Sequence, residues 1–159
     1  MKRALAALLV SLPITVHAST LSGRVVSVVD GDTLHLLTPA HQEIKVRLAE
    51  IDAPEKKQAF GMRSKQSLSD MCFGKDASID NKGLDRYGRT IGRITCAGTD
   101  ANAEQVRRGM AWVYDKYATD MSLYQLQDKA KTQHLGLWSD PSPVAPWEFR
   151  HGHKKFASP

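Results

Sequence analysis

No apolar run in this chain is long enough to cross a membrane; the longest, Ala4 to Val16, falls short of the roughly 20 residues that a spanning helix needs. Cysteine is nearly absent. Cys72 and Cys96 are the only two, so at most one bridge can form and a disulfide-dense scaffold is excluded. No internal repeat or second domain is visible, which excludes solenoids and arrays. Extreme charge is missing too: the net charge of +5 permits an anionic partner without demanding one.

What is present begins at the amino terminus. Lys2 and Arg3, the short apolar run and Val16-His17-Ala18 have the form of a secretory signal peptide over residues 1–18. The competing reading, an uncleaved amphipathic helix, finds no polar face between Ala4 and Val10. Cleavage after Ala18 leaves 141 of the 159 residues and, with Lys2 and Arg3 gone, a charge of +3. The expected product is exported to the periplasm or the medium, keeps no membrane anchor, is a monomer, and carries one domain over residues 19–147. A basic, flexible tail is expected over residues 148–159. In an oxidising compartment Cys72 and Cys96, 24 residues apart, either bridge or stay as thiols. A bridge would contribute roughly 3 kcal/mol by loop entropy.

Three strands are predicted between Gly23 and Asp52: one through Val26 and Val28, one over Thr33 to Leu37, and one in which Ile44, Val46 and Leu48 alternate with Lys45 and Arg47. A period of two puts Arg47 on the face opposite Val46 and Leu48. A helix is predicted up to Cys72, clearest from Met62 onward, and two more strands around Ala77 to Ile79 and Thr90 to Thr95. The period then becomes helical from Ala101, with Asn102 as cap, Gln105 three residues later and Gly109 at the end. A last helix is predicted from about Ser122 to Leu135, with Leu123, Leu126 and Ala130 inward. Five short strands interleaved with helices indicate an α+β domain on a small antiparallel sheet or barrel, for which a five-stranded OB-fold is a candidate.

The stretch Val28 to Leu34, "VVDGDTL", sets Asp30-Gly31 between two β-rich runs, a hairpin-turn signal. Its second carboxylate, Asp32, could also begin an oxygen-rich metal site. Three further pieces belong with it: Arg47, the strand-end cluster Ile51-Asp52-Ala53-Pro54-Glu55, and Asp85-Arg86-Tyr87-Gly88-Arg89. Each alone reads equally as a solvated turn or loop. Together they match the needs of phosphodiester hydrolysis, which takes a cation, donors for the phosphate oxygens and a carboxylate that accepts a proton from water. Asp32 and Asp52 offer hard oxygen ligands. Arg47 and Arg89 offer forked donors of fixed charge, and Glu55 is placed to hold a water.

On these residues the chain resembles the staphylococcal nuclease (thermonuclease) family in its compact secreted bacterial form. The likeness rests on "VVDGDTL", "VRLAEIDAPE" (Val46 to Glu55), "DRYGRTIG" (Asp85 to Gly92), "RRGMAWVY" (Arg107 to Tyr114) and "GLW" (Gly136 to Trp138), in that order. It implies a five-stranded OB-type barrel with three α-helices. It implies a calcium site of Asp32, Asp52 and the Ala53 carbonyl, phosphate-clamping Arg47 and Arg89, and Glu55 as general base. It implies cleavage of DNA and RNA, with little sequence preference, at the 5′ oxygen to leave 3′-phosphate ends. Ala53 stands where the family's best-known form has Thr; the carbonyl ligand survives that change and a hydroxyl contact does not.

An aromatic substrate platform is expected in Ala111 to Tyr117, where Tyr114 and Tyr117 are the candidates for stacking on a base and core packing of Trp112 and Tyr114 is the alternative. Lys56 and Lys57 either contact the substrate backbone or are solvated. His151 and His153 in the tail could chelate a metal or do nothing. His35, Glu43 and Glu50 read as surface groups. The rival functions are a non-catalytic nucleic-acid-binding module on the same barrel, expected to have lost part of this residue set, and a calcium-stabilised structural protein, for which paired arginines have no use.

Overall fold

The computed structural model describes residues 20–156, with backbone alone at 153–156. The expected signal peptide lies outside the described residues. Strands β1 (Thr20–Val28), β2 (Thr33–Leu37) and β3 (Glu43–Leu48) form an antiparallel meander, followed by the two-residue β4 (Ile51–Asp52). Helix α1 (Gly61–Cys72) leads to the hairpin β5 (Asp76–Leu84) and β6 (Thr90–Cys96). β5 pairs with β1, and β6 pairs with β3 in parallel, which closes a five-stranded mixed barrel of the OB type. After β7 (Thr99–Asp100) come α2 (Ala101–Arg107), β8 (Trp112–Val113) and α3 (Met121–Thr132). A single 3₁₀ turn over Gly136–Ser139 and a fourth helix, α4 (Pro146–Phe156), complete the described chain.

Strand alternation does what period two demands. Val46 and Leu48 are buried inside the barrel with Val25, Leu34, Leu36, Ile79 and Ile94, while Arg47 between them is only partly covered. Leu68, Met71 and Cys72 of α1, Val106 of α2 and Leu123 of α3 close the core. The Cys72–Cys96 disulfide ties α1 to β6, which settles the choice that the sequence leaves open.

Two local expectations are corrected. Residues 148–156, expected as part of a flexible tail, are helical: Pro146 occupies the first helical position and Glu148 the first turn of α4, both helix-start signals. The cap of α2 is Asp100, whose carboxylate accepts from the Ala103 N–H; Asn102 is buried and its side chain bridges the Ile94 N–H and the Ala49 carbonyl. The Asp30-Gly31 turn is present, joining antiparallel β1 and β2, although Gly31 does not adopt a positive φ there. Its lack of a side chain serves a close approach instead, since a Cβ there would lie 1.8 Å from Ser64 Oγ and 2.8 Å from Ala53 Cβ.

Candidate functional site

The bend at Asp30 to Asp32 is pinned to the barrel from two sides. The Leu48 N–H donates to the Asp32 carbonyl at 2.8 Å, and the buried Gln105 amide of α2 donates to the Gly31 carbonyl at 2.6 Å. Register then does the rest: Thr33 faces Arg47 across β2 and β3, which brings Asp32 beside the Arg47 guanidinium. Arg47 Nη1 donates to Asp32 Oδ1 at 2.5 Å, and Nη2 donates to Asp52 Oδ1 at 2.9 Å and to the Ile51 carbonyl at 3.3 Å. The other Asp32 oxygen accepts from the Ala53 N–H at 2.8 Å. Residues 32, 47, 52 and 53 therefore meet at one end of the barrel.

Both carboxylates are out of solvent, with side-chain exposures of 5% for Asp32 and 1% for Asp52. Burial pushes the Asp52 carboxyl up, and the like charge of Asp32 adds to that, against the pull of Arg150 and Arg47. Asp30, in the same bend, is pushed up to about 6 by burial and by its neighbour Asp32. Arg47 is raised as well: burial opposes its charge, but Asp32 and Asp52 outweigh that and hold the proton more firmly than in water. Two buried acids facing one buried guanidinium leave the cluster short of positive charge.

The shortfall is met by a residue that the sequence reading placed in the tail. Arg150 of α4 donates from Nη2 to Asp52 Oδ2 at 2.7 Å, and from Nη1 to Asp52 Oδ1 at 3.2 Å and Glu55 Oε1 at 2.7 Å. Glu55, half-buried, thus joins the cluster through Arg150. The signal that could have found it is the Pro-Trp-Glu helix start at 146–148, which sets Arg150 one turn inside a helix.

Arg89 is not drawn into this group. Its Nε donates to Asp85 Oδ2 at 2.6 Å, and its guanidinium lies 5.7 Å from the centre of the Tyr87 ring within the same loop. Burial works to raise Asp85, but hydrogen bonds from Arg89 and Tyr87 outweigh it and hold that carboxyl low. Lys56 and Lys57 are exposed in the turn after Glu55. Tyr117 is 57% exposed, edge-on to Tyr114. One face of Tyr114 is covered by Trp147 of α4, at 5.3 Å and nearly parallel, so of the two candidate platform residues Tyr117 is the open one. Trp112 packs between Trp138 and Trp147, the core alternative. Glu50 is more than a surface charge, since it accepts from the Thr119 hydroxyl and the N–H groups of Thr119 and Asp120.

Among the described residues no cluster of three His, Cys, Asp or Glu side chains suits a metal. The donor set at Asp32 and Asp52 nevertheless fits a hard cation that takes two carboxylates and completes its shell with a backbone carbonyl and water. The fit is electrostatic as well, because the buried acids are already held by cationic groups.

Comparison with known proteins is consistent along the chain. The family model described as staphylococcal nuclease homologue matches residues 45–140. An uncharacterized endonuclease of Haemophilus influenzae is 47% identical over 131 residues, 82% of this chain and 74% of its own. The micrococcal nuclease of Shigella flexneri is 43% identical over 171 aligned positions, 97% of this chain and 98% of its own. The staphylococcal-like nuclease CAN1 of Arabidopsis thaliana is 33% identical over 109 residues, 69% of this chain and 34% of its own.

Proposed function

The chain belongs to the staphylococcal nuclease family and is a nuclease hydrolase, and from that premise we propose a calcium-dependent, exported endonuclease with little sequence preference that cuts DNA and RNA at the 5′ oxygen. The observation that carries the reading is the convergence of Asp32, Arg47 and Asp52 on one buried cluster, which the half-buried Glu55 joins through Arg150. Asp32 and Asp52, with the Ala53 carbonyl, would hold the calcium. Bound there, it would supply Lewis-acid charge to a phosphate oxygen.

Arg47 is oriented by its bonds to Asp32, Asp52 and the Ile51 carbonyl, and the N–H donors left over suit a phosphate oxygen. Arg89, held by Asp85 at the edge of β6, supplies the second fork. Glu55 accepts a proton from the attacking water as the water oxygen bonds to phosphorus; the bond to the 5′ oxygen breaks, that oxygen takes a proton from solvent water and leaves as a hydroxyl, and a 3′-phosphate end remains. Exposed Tyr117, with Lys56 and Lys57, would hold bases and backbone without reading sequence. The Cys72–Cys96 bridge supports export, because such bonds persist in oxidising compartments.

The test is digestion of single- and double-stranded DNA and of RNA by the purified protein in calcium, magnesium or chelator, with analysis of the product ends. Cleavage of all three in calcium alone, leaving 3′-phosphates, is expected. Undiminished digestion in chelator would overturn the metal assignment, 5′-phosphate ends would overturn the bond assignment, and binding without cleavage would favour the non-catalytic module.

A further inference from the structure

Helix α4 touches the candidate centre at two places with different jobs. Trp147 stacks on Tyr114 with a ring separation of 5.3 Å and an interplanar angle of 7°, and meets Trp112 edge-on at 5.7 Å. One turn later, on the same face, Arg150 takes both oxygens of Asp52 and one of Glu55. The segment entering α4 is tethered by Gln58, whose amide donates to the Val144 carbonyl at 2.6 Å. A single helix thereby occupies an aromatic face suited to a base, the carboxylate suited to a cation, and the carboxylate suited to a water.

Charge makes the two occupants alternatives. Asp32, Asp52 and Glu55 face Arg47 and Arg150, which leaves an excess of one negative charge in the docked form. A divalent cation needs the Asp52 oxygens that Arg150 holds, and at that distance it would repel the guanidinium beside the buried Asp52 carboxylate.

We propose that α4 is an autoinhibitory latch: Arg150 stands in for the cation on Asp52 and Glu55 while Trp147 covers Tyr114, and divalent metal binding displaces the helix. This rests on the calcium assignment made above. A docked latch lowers the apparent metal affinity by the fraction of molecules in which the site is open, so weakening the latch tightens metal binding. Loss of a merely structural contact would loosen binding or leave it unchanged.

Calcium affinity is measured by calorimetry on the full chain, on Arg150→Ala and on Arg150→Gln, with circular dichroism as the check on folding. Tryptophan emission is titrated in parallel on the unaltered chain and on Trp147→Phe. The latch predicts about tenfold or greater tightening in the Arg150 variants. It also predicts an emission change at calcium saturation that Trp147→Phe abolishes. Equal or weaker binding in the folded variants overturns it. Should the variants not fold, the emission titration decides, and unchanged emission at saturation overturns it. No calcium binding by any form overturns the latch and the metal assignment together, whereas binding that Arg150 substitution fails to tighten overturns the latch alone.

Discussion

Replacing Arg47 by Met keeps most of the side-chain volume and deletes the charge that faces two buried acids. Asp32 and Asp52 are 5% and 1% exposed, so little water can replace the guanidinium. Removing one partner of a buried ion pair costs roughly 3–5 kcal/mol because the other charge is left uncompensated. Here part of that loss is offset: Asp52 keeps Arg150, and Asp32 keeps the Ala53 N–H and the Thr33 hydroxyl. The expected cost is therefore at the lower end, about 3 kcal/mol, read as a shift in the urea midpoint at pH 7. Adding Asp32→Asn should recover part of it, because a neutral amide needs no counter-charge; a coupling of about 1 kcal/mol or more is expected for residues in direct contact. A cost under about 0.5 kcal/mol, typical of a solvated pair, would refute the claim that Arg47 compensates two buried acids. The same number governs interpretation of activity, since turnover of any Arg47 variant must be measured where the protein is still folded.

Three other outcomes follow from separate parts of the structure. Gly31→Ala places a Cβ 1.8 Å from Ser64 Oγ and should cost about 1–3 kcal/mol by overpacking while displacing Asp32; an unchanged thermal midpoint with full DNA turnover would contradict the close approach. Replacing Cys72 and Cys96 together by Ser should lower unfolding stability by roughly 3 kcal/mol, and reductant should do the same to the unaltered chain and nothing to the variant. Asp120 is held at about 2, chiefly by the hydrogen bond from Arg93, below the unfolded value near 4. Its contribution is present above that unfolded value and is lost as pH falls toward 2. The stability advantage over Asp120→Asn should accordingly shrink between about pH 4 and 2, and an advantage that does not change with pH would contradict the pairing.

The parts of the molecule that were legible in sequence are those whose determinants are local. Ile44, Val46 and Leu48 alternate, so the barrel strand and the outward Arg47 follow from one period; Asp32 and Asp52 sit at strand ends, where a scaffold presents side chains to a common mouth. What was not legible depends on partners distant in the chain. Gln105 looks like part of a helix cap, yet its amide reaches the Gly31 carbonyl, 74 residues away. Asn102 looks like a cap and bridges two strands. Asp-Gly reads as a turn and does turn the chain, but that its glycine also makes room for Ser64 of α1 could not be read locally. Arg150 is the largest omission: composition alone made the segment after residue 147 a polar tail, and only its docking on Asp52 and Glu55, more than 90 residues earlier, shows its place at the site.

The role of the acid cluster as a catalytic metal site is tested most directly by DNA turnover of Asp32→Asn in calcium, at a temperature where circular dichroism shows it as folded as the unaltered chain. Asp32 is the acid shared by Arg47 and the Ala53 N–H, and the proposed calcium ligand. A loss of about a hundredfold or more is expected, the scale of removing one element of transition-state charge stabilisation. Turnover within about fivefold of the unaltered chain would contradict it.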